Sequence, residues 1–177
     1  MQVSQRDSKS PPDRYASLGQ PAQALLRFGI GTAFLSAVAD RFGLYGPPGA
    51  PGVGWGDFAH FTEYTHTLTW WVPSALTPLL AWLATLGEIV FGVMLLVGLR
   101  TREAALGSAA LLTSFALSMT FSARGIHSAF SYSVFSAAGG ALLLATFRDP
   151  SWSLDALLQR TSRDHGPSHD DAHASAR

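Results

Sequence analysis

The chain is built from long apolar runs separated by polar breaks of very different length. Residues 73–99, PSALTPLLAWLATLGEIVFGVMLLVGL, contain a single ionisable residue, Glu88. At about 1.5 Å per helical residue the run can cross a bilayer. Apolar stretches at 22–45, 101–123 and 130–147 also approach the roughly 20 residues that a spanning helix needs. The turn Leu99-Arg100-Thr101-Arg102 and the connection at 122–127 are both short, which makes successive spans antiparallel neighbours. The pattern therefore predicts an all-α fold: a four-helix transmembrane bundle in up-down-up-down order.

Domain boundaries follow from where the apolar pattern stops. Residues 1–20 read as a polar cytoplasmic tail, 21–148 as the membrane domain, and 149–177 as a second cytoplasmic tail, mostly disordered after 161. An amphipathic piece at 152–160 is expected to lie along the inner interface. Ala37-Val38-Ala39 resembles a signal-peptidase site, but the polar leader before it is much longer than a usual n-region, so 22–45 is read as a retained helix.

The longest connection, 46–72, opens with prolines and glycines and closes with FAHFTEYTHTLTWW. Phe58, Phe61 and Tyr64 recur along one stripe, predicting a short amphipathic helix with Asp57 as its N-cap. It is expected to form an outer lid over the bundle, with Trp70 and Trp71 in the interfacial belt. Small residues (Gly29, Ala33, Gly87, Gly92, Gly107, Ala110, Ala138, Gly139 and Gly140) are expected to let the helices approach closely.

Charge sets the orientation. Of the twelve Lys and Arg residues, all but Arg41 and Arg124 fall on one side of the expected bundle, which places both termini in the cytoplasm of a bacterial plasma membrane protein. The formal net charge is +0 and no basic cluster stands out, which argues against nucleic-acid binding. The absence of cysteine excludes thiolate, disulfide and iron–sulfur chemistry by this chain.

The remaining candidate chemistry is the intramembrane polar set. Arg27 is expected one or two turns inside the cytoplasmic face, and Asp40-Arg41 near the outer face, where side chains can snorkel. An Arg27–Glu88 ion pair is the preferred way to tolerate both charges, with Thr32, Ser36, Thr85, Ser114 and Ser118 as hydroxyls that could join it. Such a pair either pins helix register or lines a proton or ligand route. His60, His66 and His127 read as surface residues. His165, His169 and His173 share a four-residue spacing without an apolar face to support a helix.

Arg27-Phe-Gly-Ile-Gly31, Ala39-Asp-Arg-Phe42, Leu86-Gly-Glu-Ile-Val-Phe-Gly through Arg102 and Tyr132-Ser-Val-Phe-Ser136 together resemble the DoxX family of small bacterial membrane proteins. The resemblance spans residues 24–147. It implies a four-helix membrane subunit of a quinone-linked redox or oxidative-stress system, with Arg27, Asp40 and Glu88 at the family's charged positions. On that basis a quinone or small apolar ligand is expected near Glu88 and Arg27. Arg27 would be the donor, Glu88 the proton acceptor, and Trp82 or Phe91 the stacking surface. Such a chain would act beside a soluble or membrane redox partner as an oxidoreductase subunit, not as an enzyme on its own. The alternatives are a non-catalytic scaffold that recruits a soluble partner through its tails, and a small-molecule exporter, which requires a homo-oligomer.

Overall fold

A computed structural model describes residues 18–122, 125–147 and 154–155. The expectations for 161–177, for the histidines at 165, 169 and 173, for Arg124 and for most of the 152–160 piece lie outside the described residues.

The described residues are all-helical: α1 (Gly19–Arg41), α2 (Phe58–Leu68), α3 (Thr77–Val97), α4 (Thr101–Phe121), α5 (Gly125–Ser131) and α6 (Val134–Leu144). Three of these segments, Gly19–Arg41, Ser74–Val97 and Thr101–Phe121, are long and apolar enough to cross a membrane. About a third of the apolar window is buried in each: 33%, 28% and 33%. The apolar remainder faces outward, a pattern that water would penalise and lipid accepts.

Proline and glycine set the helix ends. Pro21 and Pro78 sit in the first turns of α1 and α3, where a missing N–H costs nothing. Gly98 ends α3 in the left-handed region (φ 73°), and its N–H and that of Leu99 both donate to the Met94 carbonyl. Arg100 (φ 46°) then reverses the chain into α4. Non-glycine residues rarely adopt that conformation, which shows how tight the turn is.

Contacts fix the pairwise registers. Arg27 reaches Leu95, Gly31 lies against Gly92, and Arg41 reaches Thr85 and Glu88, so α1 and α3 run antiparallel. Phe91 rests on Gly107 and Leu111 reaches Gly87, which makes α3 and α4 antiparallel as well. α4 packs mainly on α6 through alanines, including the buried Ala104, Ala105, Ala109, Ala138 and Ala141.

The fourth expected span is not continuous. The chain breaks at Tyr132–Ser133, where Ser133 takes φ 53°, leaving an eleven-residue α6. At about 1.5 Å per residue α6 is roughly half the thickness of a bilayer core. A Cβ-bearing residue in the left-handed region cannot continue a helix, and nothing in the apolar pattern of 130–147 announces that break.

The small residues divide into two groups. Gly31 and Gly92 make the closest α1–α3 approach, since a Cβ on Gly31 would lie 3.0 Å from the Gly92 carbonyl oxygen and 2.8 Å from Leu96 Cγ. Gly29 and Gly139, expected at interfaces, have nothing within 4 Å of the position a Cβ would take. Gly31→Ala should therefore destabilise the fold by about 1–3 kcal/mol through overpacking. Gly29→Ala should stabilise it by about 0.5–1 kcal/mol through helix propensity alone. Thermal unfolding of both variants in the same detergent checks this opposite pair of signs.

Candidate functional site: a buried charge cluster beneath the α2 lid

The end of α1 and the middle of α3 bring three ionisable side chains into the interior. Asp40, Arg41 and Glu88 are 6%, 3% and 3% exposed. Arg41 Nη2 donates to Glu88 Oε1 at 2.9 Å, Nη1 donates to Thr85 Oγ1 at 2.9 Å, and Nη1 also lies directly against Glu88 Oε2. Thr85 in turn donates to the Ala81 carbonyl, which orients its lone pairs toward the guanidinium. The carboxylate is thus engaged on both oxygens by one arginine, the planar geometry that Arg offers and Lys does not.

The partner of Glu88 is therefore Arg41, not the expected Arg27. Gly31 opposite Gly92 supplies the ruler. From that level Glu88 lies about 6 Å and Arg41 about 15 Å toward one end, while Arg27 lies about 6 Å toward the other. An Arg41–Glu88 contact spans about 9 Å of axial offset and an Arg27–Glu88 contact about 12 Å. Arg27 instead donates from Nε to the Leu95 carbonyl at 2.9 Å and from Nη2 to the Leu96 carbonyl at 3.4 Å. It meets the last turn of α3, where helix carbonyls lack intrahelical donors and carry partial negative charge.

Asp40 and Arg41 do not snorkel to the surface. Asp40 Oδ2 accepts from the backbone N–H groups of Gly54 at 3.0 Å and Trp55 at 2.9 Å, so the carboxylate folds the 42–57 connection back over α1. A Cβ on Gly54 would stand 2.8 Å from Asp40 Oδ2, and one on Gly56 (φ 74°) would strike the backbone of Pro47 and Pro48. Glycine is needed at both positions for this close approach.

The lid forms as the apolar stripe predicts. Asp57 caps α2 by accepting from the His60 N–H at 2.8 Å. Phe61, Thr65 and Leu68 are the buried face, with Phe58 and Tyr64 at its margins. Phe61 lies over Arg41, with the guanidinium carbon 3.7 Å from its ring centroid, and Trp55 stands 5.2 Å from the same carbon. Trp55 and Phe61 meet edge-to-face at 5.3 Å. Aromatic faces of this kind attract a cation most strongly once water is excluded.

The other expected residues fall into place around this cluster. Trp82 packs on Phe58 of the lid at 4.4 Å between centroids with the rings tilted by 35°, so its ring is used to seat α2. Phe91 fills the α3–α4 seam against Gly107. Of the five hydroxyls only Thr85 is bonded to the cluster. Thr32 and Ser114 donate to carbonyls of their own helix, and Ser36 accepts from Tyr45. His60, His66 and His127 are exposed. Among the described residues, no group of three His, Asp or Glu side chains is placed to hold a metal. A groove of about 560 Å³ between α2 and the start of α3, lined among others by Phe58, Glu63, His66, Thr77 and Trp82, is open to the outside.

Two outcomes follow. Arg41→Met leaves Glu88 buried beside no cation and should cost about 3–5 kcal/mol, whereas Arg41→Met with Glu88→Met should cost far less. Thermal unfolding of the single and double variants measures the difference. The N–H of His60 holds the Asp57 carboxyl below its usual range, with the His60 side chain adding to the effect. The contribution of that cap is full above the ordinary aspartate value and is lost as the pH falls through the lowered one. Protection factors of the first-turn amides of α2 should drop on acidification in the wild type and be low at every pH in Asp57→Ala.

With this geometry in hand, comparison with known proteins corrects the expected family. The chain matches the family described as "Methylamine utilisation protein MauE" over residues 19–131, and the DoxX resemblance does not hold. The segments that suggested it are glycine-spaced apolar helices and an arginine-bearing tight turn, features that any closely packed membrane helices share. No curated protein and no solved structure matches the chain. The match runs from the start of α1 through the lid, the Arg41–Glu88 cluster and the α3–α4 turn to the end of α5, and the chain belongs to the MauE family of methylamine utilisation proteins.

Proposed function

We propose that this protein is a non-catalytic integral membrane accessory of a methylamine-utilisation system, one that serves by holding a partner protein at the bilayer. The observation that carries this reading is the state of Glu88. The one acid within the apolar core of α3 is paired with Arg41 on both oxygens and shut under Phe61 and Trp55. A carboxylate held in this way serves register and lid closure, and it is poorly placed to accept a proton from a substrate.

The wider arrangement belongs to the same proposal: a membrane unit over 21–148 in the bacterial plasma membrane, with α1, α3, α4 and the broken α5–α6 segment as four up-and-down elements. Both termini face the cytoplasm. The two antiparallel registers support this arrangement. So does the burial of Arg41, which removes one of the two basic residues that counted against the orientation.

A second reading has one observation behind it. The groove beside Trp82 is of a size that takes small ligands, and a quinone head group could enter it. A quinone bridging Arg27 and Glu88 has no such support, because those side chains are engaged at different levels of α1 and α3.

The deciding experiment is growth on methylamine of a deletion strain complemented with the Arg41→Met, Glu88→Met double variant. Its thermal stability and quinone content are measured beside the wild type. Growth with a folded double variant, and no bound quinone in either protein, is the expected outcome. A folded double variant that fails to grow would overturn the accessory reading. Stoichiometric quinone that is lost in Trp82→Ala would establish the second one.

A further inference from the structure

The groove between α2 and the start of α3 has a chemistry of its own, apart from the Arg41–Glu88 pair. Phe58 and Trp82 line it with aromatic surface, and Trp82 stays 44% exposed although it packs on Phe58. His66 on α2 and Thr77, the first residue of α3, bridge the two helices here, with Nδ1 and the hydroxyl oxygen 3.3 Å apart. Glu63 lies one helical turn before His66 and lines the same groove with its side chain exposed. Among the described residues Glu63 belongs to no ion pair, and no Lys or Arg lines the groove. The groove lies at the first turns of the span Ser74–Val97, the level at which water meets lipid.

We propose that this groove is a binding site for a free organic ammonium ion that carries an apolar chain. Aromatic rings attract a cation through their quadrupole, and a carboxylate beside them adds direct charge attraction. The N–H groups of a primary ammonium can donate to the Glu63 carboxylate. A cavity of about 560 Å³ is far larger than methylammonium fills, and Phe58 and Trp82 offer apolar contact to a longer chain. A phospholipid head group is a poorer match, because its phosphate would meet Glu63 with no Lys or Arg in the groove to receive it. Glu63 also separates this guest from a quinone, which brings no positive charge to it. This inference goes beyond the accessory role and stands without it.

Trp82 is a reporter built into the site. Hexylammonium chloride is titrated into the full-length detergent-solubilised protein in weakly alkaline buffer and followed by tryptophan emission. Hexanol serves as the uncharged probe of equal chain length. In the wild type hexylammonium should half-saturate the emission change at a concentration about three- to fivefold lower than hexanol. Glu63→Gln should bring the two probes to the same half-saturation, with the unfolding temperature unchanged because Glu63 is exposed. Trp82→Leu should remove the saturable change. Because Trp82 also seats the lid, Glu63→Gln is the decisive variant. Equal half-saturation by both probes in the wild type would overturn the proposal, as would a preference for hexylammonium that survives Glu63→Gln. Native mass spectrometry that finds phosphatidylethanolamine retained by the wild type and lost in Glu63→Gln would overturn it too, since the site would then belong to a lipid.

Discussion

The Arg41–Glu88 ion pair is the constraint to which the rest of this structure answers. An acid in the middle of an apolar helix is tolerated only when its charge is matched nearby, because neither lipid nor protein interior solvates it. Arg41 provides the match from the last residue of α1, and its length lets it reach down the α1–α3 groove to the level of Thr85 and Glu88. The pair then needs covering, and the 42–57 connection with α2 supplies an aromatic roof in Trp55 and Phe61. Register, lid position and loop path are all consequences of one buried charge.

Three contacts along α1 and α3 act together. Arg27 at the Leu95 and Leu96 carbonyls, Gly31 against Gly92, and Arg41 on Glu88 divide the pair of helices into two polar clasps around a close glycine crossing. Sliding one helix by a turn would move the guanidinium groups away from their acceptors and place side chains where only hydrogen atoms fit. Polar contacts are valuable here for uniqueness more than for strength, since apolar helices pack against each other and against lipid with similar ease.

The 42–57 connection shows how loop and helix are coupled. Asp40 ties the backbone of Gly54 and Trp55 to the end of α1, Trp55 meets the edge of Phe61, and Phe61 covers Arg41, the residue next to Asp40. The circuit closes on itself. Asp57 starts α2 immediately afterwards, so the lid helix begins where the tied loop ends. The glycines that make this path possible are required by the close approach of backbone to Asp40 and to Pro48, not by flexibility.

Much of this was legible in the residues alone. The apolar runs determined an all-helical membrane protein with spans at α1, α3 and α4. The Phe58-Phe61-Tyr64 stripe with Asp57 before it determined the lid helix, because amphipathic period and capping are local properties. Other features were decided only in three dimensions. Arg27 and Arg41 were both in principle available to Glu88, and the choice depended on the Gly31–Gly92 crossing that sets axial register. Gly29 and Gly139 looked like interface residues but face outward, since small size does not say which way a helix is turned. The break at Ser133 and the capping of α4 by Asp155 left no trace in the hydropathy pattern. Periodicity reports what one helix can bury, whereas partner choice is a property of two helices at a fixed rotation and offset, and that is settled only when they pack.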